Sequence, residues 1–459
     1  MNEQRTPPGP RGKYGFANIY KWTTDQLGLL TGLKERHGDM VQMNVFGAPW
    51  VLISHPDDIE AALVKNAKVM GRDAYITILQ RTLGMGLLTS DGELWKRQRK
   101  LMSTAFTPKK IRGYAEAMAR VGEDSIRPWR DGVEINLHQE MSRITMEVVA
   151  EVLFGTGVTK SDVDTVSHAM EVINEYYANS PEAVVMLPEW VPTPRHLRMR
   201  KAVDDIDQIL YRIIAARRAS GETRDDLLGT LLAAQDDDGS GMTDQQLRDE
   251  AVTLFLAGHE TTALALSHTL YLLSKYPDVA RRVHDEIARV VGDRRPEGED
   301  VKKLEYTGWV LKESMRLYPP AWTTGRETTD EVEIGGYHIP KGAQLLFSQW
   351  VVHRDPRWFP NPEAFDPDRW KDEASLPRFA YFPFGGGPRT CIGNHFAMME
   401  ATLLLAIVVQ RYRLDLLPGE RLELKPSVTL RQKGPGLRVR LFERPKVAAA
   451  SDTPSASAA

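Results

Sequence analysis

Cysteine is nearly missing: the 459 residues contain one, Cys391. No internal disulfide can form, so this thiol is left for burial, reactivity or metal binding. No stretch of 18 consecutive apolar residues occurs, and Met1 to Phe16 is polar with Pro7, Pro8 and Pro10 in place of a charged-then-apolar leader. The expectation is a cytoplasmic chain with no membrane anchor. A charge excess is lacking too, with 59 Lys and Arg against 62 Asp and Glu, a net charge of -3. Nothing in that balance favours nucleic acid or an anionic surface.

What is present is an ordinary globular composition, 42% apolar and 26% charged. Residues 1–447 read as one domain, with a small β-rich N-terminal lobe within it. The small-residue, Ser/Pro-rich stretch 448–459 reads as a disordered tail. Alternation over Val41 to Ile53, with a turn at Gly47 to Pro49, predicts a hairpin, and Val332 to Ile339 around Gly335 and Gly336 predicts another. Most other segments carry helical periodicity, near 57–66, 93–104, 108–126, 138–154, 162–180, 197–219, 277–291, 301–317 and 394–411. The fold class is therefore mainly α. One helix stands apart: it opens at Thr243 with Gln246 three residues on, a capping-box pattern, and runs to Lys275 before Pro277. Its length would be roughly 50 Å. His259, Glu260, Thr261, Thr262 and His268 interrupt its apolar run, so it reads as a buried central helix whose polar groups need partners or a task.

Around the cysteine the sequence is FPFGGGPRTCIGNHFAMMEATLLLAIVV. Gly385, Gly386 and Gly387 allow positive φ and close approach to a flat ligand, and Pro388 stiffens the turn. Cys391 sits at a helix start, where free N–H groups favour a thiolate. A lone cysteine is usually a small buried hydrophobe, but here Phe384, Gly387, Arg389, Cys391 and Gly393 match FxxGxRxCxG at fixed spacing. The segment thereby resembles the haem-binding signature of cytochromes P450. That resemblance implies a cytochrome P450 fold, a helix-rich haem-enclosing domain with small β-sheets. It makes Cys391 the axial thiolate to iron, with Phe384 beside the sulfur, Gly393 behind it and Arg389 on a propionate.

Three further segments support the resemblance. AGHETT, Ala257 to Thr262, resembles the family's oxygen-binding motif: Ala257 and Gly258 leave room, Thr261 diverts a backbone carbonyl and Glu260 feeds protons. Alone, an acid–alcohol pair would be a surface charge and filler. Glu313 and Arg316 in KESMRLYPPA resemble the ExxR pair, and Arg369 in FDPDRW its third partner; an isolated i,i+3 pair would mean little. Trp95 and Arg99, four apart, together with Arg326 and His353, occupy positions that bind propionates in the family, although His353 could equally serve a packing network.

The resemblance implies a haem b (iron protoporphyrin IX) monooxygenase that takes O2 as co-substrate and inserts one of its oxygen atoms into an apolar small molecule by hydroxylation or epoxidation. No Gly-rich flavin or nicotinamide fold is present, so a separate ferredoxin and ferredoxin reductase are the expected donors. Lys96, Arg97 and Lys100, with Lys109, Lys110 and Arg112 soon after, offer a basic run for an acidic ferredoxin, or simply a solvated helix face. A peroxide-driven peroxygenase and a non-catalytic haem-binding sensor are the alternatives. Glu260 with Trp95 resembles the fatty-acid-hydroxylating branch. The expected pocket segments, Val69 to Thr89, Val172 to Trp190, the central helix, Ala321 to Thr324 and Ser427 to Gln432, include Tyr176, Tyr177 and Trp322 and leave fatty acid and terpenoid both open.

Overall fold

The computed structural model describes residues 5–10, 15–45, 47–155, 158–179, 190–221, 224, 226–236, 239–434 and 436–445. The expected tail at 448–459, and 180–189 of the expected pocket wall, lie outside them. Helices come first in chain order as α1 (Phe16–Thr24), α2 (Gln26–His37), α3 (Pro56–Glu60), α4 (Ala74–Leu83), α5 (Gly92–Ser103), α6 (Pro108–Ile126), α7 (Leu137–Phe154) and α8 (Lys160–Asn179). Then come Pro194–Ser220, Leu227–Ala233, the central helix Asp244–Lys275, Pro277–Val290, the Glu313 helix Glu305–Leu317, a short turn of helix at Gln349–Val352, and the cysteine helix Asn394–Arg411. None of the described helices is long and apolar enough to cross a membrane.

The starts are set by local chemistry. Asp91 accepts the Gly92 N–H to open α5, and Thr107 with Pro108 at the first helical position opens α6. At the central helix the capping box is reciprocal: Thr243 Oγ1 accepts from Gln246 N–H at 3.1 Å and Gln246 Oε1 accepts from Thr243 N–H at 3.0 Å. Five helices escaped the periodicity reading: α1, α2, α4, Leu227–Ala233 and the short Gln349–Val352. Glycines Gly28 and Gly32 dilute the apolar signal of α2, and Leu227–Ala233 is only seven residues long. The helix expected over 301–317 begins at Glu305.

Both expected hairpins form, as β1 (Met40–Val45) with β2 (Ala48–Ile53) and β6 (Val332–Ile334) with β7 (Tyr337–Ile339). In chain order the other strands are β3 (Met70–Gly71), β4 (Glu134–Asn136), β5 (Thr324–Thr328), β8 (Gln344–Phe347), β9 (Tyr412–Leu416), β10 (Leu424–Pro426), β11 (Leu430–Gln432) and β12 (Arg438–Glu443). The largest sheet runs β1-β2-β8-β5-β3, β2 pairing in parallel with β8. The smaller sheets are β4-β12-β9 and β10-β11.

The central helix is the axis of the core. Leu266, Leu270 and Ala263 pack with α6, α7 and the cysteine helix, while Leu247, Val252 and Phe255 pack with α4, α5, α8 and Pro194–Ser220. Gly258 lets α7 approach: a Cβ there would stand 3.2 Å from Val149. The space that this glycine leaves therefore serves helix packing as well as the cavity.

Below the core, Glu313 is fully buried among donors. Arg316 bonds it through Nε (2.9 Å) and Nη2 (2.8 Å), Arg369 Nε donates at 2.9 Å, Trp370 Nε1 at 3.0 Å and the Asp366 N–H at 3.0 Å. The other three N–H groups of Arg316 reach the carbonyls of His353, Pro362 and Ala364. All five guanidinium donors are used, which ties the Glu313 helix to the segment from His353 to Trp370. Removing one member leaves an uncompensated buried charge, so Arg316→Ala should cost about 3–5 kcal/mol. Lys312→Ala, which breaks a surface pair with Glu373 and a distant approach over the Trp370 ring at 5.8 Å, should cost about 1 kcal/mol. Urea unfolding of both variants checks the contrast, and similar losses would contradict this account.

Candidate active site

The cysteine loop is held by its own backbone. Cys391 N–H donates to the Phe384 carbonyl at 3.0 Å and Thr390 N–H to that of Gly387 at 3.1 Å. The three glycines act differently from one another. Gly385 and Gly387 take φ of 68° and 71°, and a Cβ on Gly387 would lie 1.9 Å from the Leu63 carbonyl oxygen. Gly386 is extended (φ -165°) but lies flat on Phe379, whose ring a Cβ would meet at 2.1 Å. Cys391 is thereby turned to a large cavity that Phe384 and Gly393 also line. Burial pushes its thiol up, against the Gly393 N–H and the Arg99 charge, which favour the thiolate. The helix start alone does not ionise the sulfur; a cation bound to it would.

That cavity measures about 1340 Å³, more than the roughly 300–1,000 Å³ of a common ligand site, so it can hold a cofactor and a substrate together. Along the central helix, Leu254, Ala257, Gly258, Thr261, Thr262 and Ala265 face it at three- and four-residue spacing. Leu79, Leu87, Leu88, Val149, Tyr177, Ala321, Trp322 and Val428 close other sides. Tyr176, placed with Tyr177 in the sequence reading, instead pairs with His196 outside this wall.

One end of the cavity is cationic. Arg326 and Arg389 line it as expected, and Arg72, which the sequence reading missed, joins them. Burial and the neighbouring Arg389 and Arg326 charges hold Arg72 down to about 9, and burial with Arg389 holds Arg326 down to about 10. Arg72 is pinned to the carbonyls of Ser90 (3.3 Å) and Leu87 (2.8 Å). Arg389 pairs with Asp91 and stacks 4.3 Å over the Trp95 ring. Arg99 lines the wall with no ion pair found among the described residues. Clustered guanidiniums that depress one another fit a dianionic group such as the paired propionates of haem.

His353 is not brought to this end. It is fully buried off the cavity wall, its Nε2 accepts the Phe382 N–H at 3.0 Å, and it stacks against Tyr381 and Phe382. It serves the packing network between the Glu313 helix and the cysteine loop. The basic run is also largely spent: Arg97 and Lys100 each meet Asp236 at 3.1 Å, and Lys96 meets Glu93 at 2.6 Å.

On the central helix, Thr261 Oγ1 donates to the Ala257 carbonyl at 2.7 Å, as Thr262, Ser267 and Thr269 do to the carbonyls four residues before them, and the helix stays continuous rather than opening there. Glu260 is buried beside it and bound to residues that its own sequence neighbourhood does not reveal. Arg431 on β11 reaches it through Nε (2.7 Å) and Nη2 (3.2 Å), and Thr429 Oγ1 and Asn174 Nδ2 each donate at 3.2 Å. Burial raises this carboxyl, but Arg431 first, then His138 and His259, hold it below the ordinary range.

The sequence profile described as Cytochrome P450 matches residues 7–438. The chain belongs to the cytochrome P450 family. It is 38% identical over 400 residues to the cyclooctatin synthase of Streptomyces melanosporofaciens, covering 86% of this chain and 87% of that protein. It is 36% identical over 389 residues to the cyclooctat-9-en-7-ol 5-monooxygenase of the same organism, covering 84% of each. A retinoic acid-bound cyanobacterial CYP120A1 structure superposes with a TM-score of 0.85 at 27% identity, over 96% of this chain and all of that one. The protein is thus a cytochrome P450 monooxygenase, a haem-iron enzyme that uses O2, and relatives oxidise terpenoids.

Within the P450 family frame, Arg72 is the residue whose contribution to the cationic end is open to a direct test. Arg72→Leu removes two hydrogen bonds to the Ser90 and Leu87 carbonyls but no ion pair of the Glu313 kind, and should speed haem loss to an acceptor globin by about tenfold, the worth of one charge-assisted bond, with the circular dichroism spectrum unchanged. Loss rates equal to wild type would remove Arg72 from the cofactor site.

Proposed function

We propose that the protein hydroxylates or epoxidises an apolar terpenoid-like small molecule in this cavity, with haem b as cofactor and electrons from a separate ferredoxin and ferredoxin reductase in the cytoplasm. One observation carries the reading: Cys391, the acid–alcohol pair at Glu260 and Thr261, and the arginine cluster all border one largely apolar space. Haem, when bound, supplies the oxidising chemistry that activates O2. Cys391 would hold its iron, with Phe384 and Gly393 shaping the sulfur's surroundings. Arg72, Arg326, Arg389, Trp95 and Arg99 would hold its propionate edge, and Ala257 and Gly258 would leave its open face clear.

The chain's own part is to orient, keep dry and protonate. Leu87, Val149, Leu254 and Val428 exclude water around a hydrocarbon substrate. Thr261 can release the Ala257 carbonyl to pass a proton into the cavity, and Glu260 is the acid next to it. The presence of that pair supports O2 rather than hydrogen peroxide as the oxygen source. Terpenoid-oxidising relatives, and the retinoic acid in the neighbouring structure, support a cyclic or polyene isoprenoid over a simple fatty acid. Residues 1–447 serve as one catalytic domain in this reading. Since Arg97 and Lys100 already share Asp236, ferredoxin docking would depend more on Arg112 and Lys109 than on the α5 run.

Two expectations follow. Cys391→Ser should lose the red-shifted Soret band of the reduced, carbon monoxide-bound protein, and a normal band in that variant would defeat the proposal. Thr261→Ala should keep haem and substrate affinity while product formation falls by about 10²-fold and most electrons leave as hydrogen peroxide. Unchanged product per electron would show that Thr261 carries no proton.

A further inference from the structure

In the arrangement described above, the acid and the alcohol are not connected. Glu260 receives four donor contacts, two from Arg431 and one each from Thr429 and Asn174. Every one of these favours the ionised form, and an ionised carboxylate has no proton to give. Thr261 meanwhile donates to Ala257 rather than to Glu260. His138 and His259 are the other titratable neighbours, and burial pushes both toward the neutral form, which leaves Arg431 as the lasting cation beside Glu260. Something must loosen Glu260 before it can take up and pass on a proton.

Two of the holding groups share one small element. Thr429 and Arg431 both lie on the β10–β11 hairpin, whose strands are three residues each. So small a ribbon has little rigidity of its own. It is tied down through the Trp322 Nε1–H donating to the Ser427 carbonyl at 2.9 Å and the Leu430 N–H donating to that of Pro320 at 2.8 Å. Its turn, Ser427, Val428 and Thr429, is cavity wall, and Trp322 is wall as well. The surface that a substrate would press is therefore two to four residues along the chain from the guanidinium that grips Glu260. Asn174, by contrast, sits on α8 and would keep its hold.

We propose that Arg431 is a positioning residue which keeps Glu260 ionised and idle while the cavity is empty, and that a substrate packed against the Ser427–Thr429 turn shifts the hairpin and frees Glu260 to accept a proton from water and pass it to Thr261. Proton supply is thereby tied to occupancy, so that an empty site does not waste electrons. The inference rests on the monooxygenase reading above, with an apolar occupant; it does not depend on which terpenoid that is.

The first arm of the test needs no ligand. Ferrous holoenzyme, prepared without oxygen and without substrate, is mixed with oxygenated buffer, and the return to the ferric state is followed together with the superoxide released, read as the peroxide to which two superoxides and two protons dismute. Arg431→Gln should speed both about tenfold, Thr429→Val should do so by a smaller factor, and Arg431→Lys, which keeps a cation, should match wild type. Equal rates in wild type and Arg431→Gln overturn the proposal, as does an acceleration by Arg431→Lys equal to that by Arg431→Gln, which would indicate mere disturbance of the hairpin. The second arm is infrared difference spectroscopy of the holoenzyme with and without retinol, an isoprenoid with no carboxyl of its own. A protonated carboxyl band should appear on binding in wild type, be present without ligand in Arg431→Gln, and vanish in Glu260→Gln. Bound retinol with no such band in wild type also overturns the proposal. If the Cys391→Ser variant kept its thiolate band, by contrast, the monooxygenase reading itself would fail.

Discussion

The constraint on which the rest of the structure depends is the burial of the central helix. Thirty-two residues from Asp244 to Lys275, about 48 Å long, run through the core with most side chains out of solvent. In a helix so enclosed the hydroxyls can bond carbonyls of their own helix, as Thr261, Thr262, Ser267 and Thr269 do, but its longer polar groups need partners from other elements, because an unmet buried polar group costs about 1–3 kcal/mol. The partners come from distant parts of the chain. Thr145 on α7 donates to the His259 carbonyl at 3.1 Å, Leu87 donates its N–H to Glu250 at 2.9 Å, and Asp207 receives Arg248 at 2.6 Å. Those contacts fix the register of the helix against its neighbours, and the register decides which residues face the cavity.

How much of this was legible in the sequence depended on whether the signal was local. The caps of the central helix, the cysteine loop, both short hairpins and the span of α6 are written in adjacent residues, and each appears where the sequence puts it. The Glu313, Arg316 and Arg369 trio was found because a motif names its members; nothing about a three-residue spacing would have predicted Trp370 and the Asp366 N–H completing the shell. Strands β5 and β8 were missed because their pairing partners lie far away: β8 joins β2 across some three hundred residues of chain, and neither is long enough to show a period.

Arg72 and Arg431 fall in the same class. Each is one arginine in an ordinary stretch, GRDAY and TLRQK, and each matters only because the tertiary fold carries Arg72 to the cavity wall and Arg431 to Glu260, which lines it. The signal that could have found Arg431 is indirect: a carboxylate on a buried helix requires a cation, and the expected pocket segment Ser427 to Gln432 contains just one. His353 went the other way. Its position in the chain suggested a cofactor contact, but Phe382 N–H occupies its Nε2 and Tyr381 and Phe382 cover its ring, so packing takes the side chain that the motif offered to a ligand.

The two groups of arginines at the cavity differ in a way that assigns their tasks. Arg431 meets a carboxylate of its own, and the pair is close to neutral. At the other end, among the described residues, Arg72, Arg99, Arg326 and Arg389 face Asp73 and Asp91, two carboxylates for four guanidiniums. Burial and mutual repulsion already lower Arg72 and Arg326, so this end is a place where negative charge is stabilised. A ligand with two carboxylates would balance the excess, and a neutral hydrocarbon would not go there. The apolar stretch between the two ends is what remains for the substrate. Charge thus sorts a single cavity into a cofactor edge, a dry middle and a proton side, and that division follows from which arginines the fold leaves without acids.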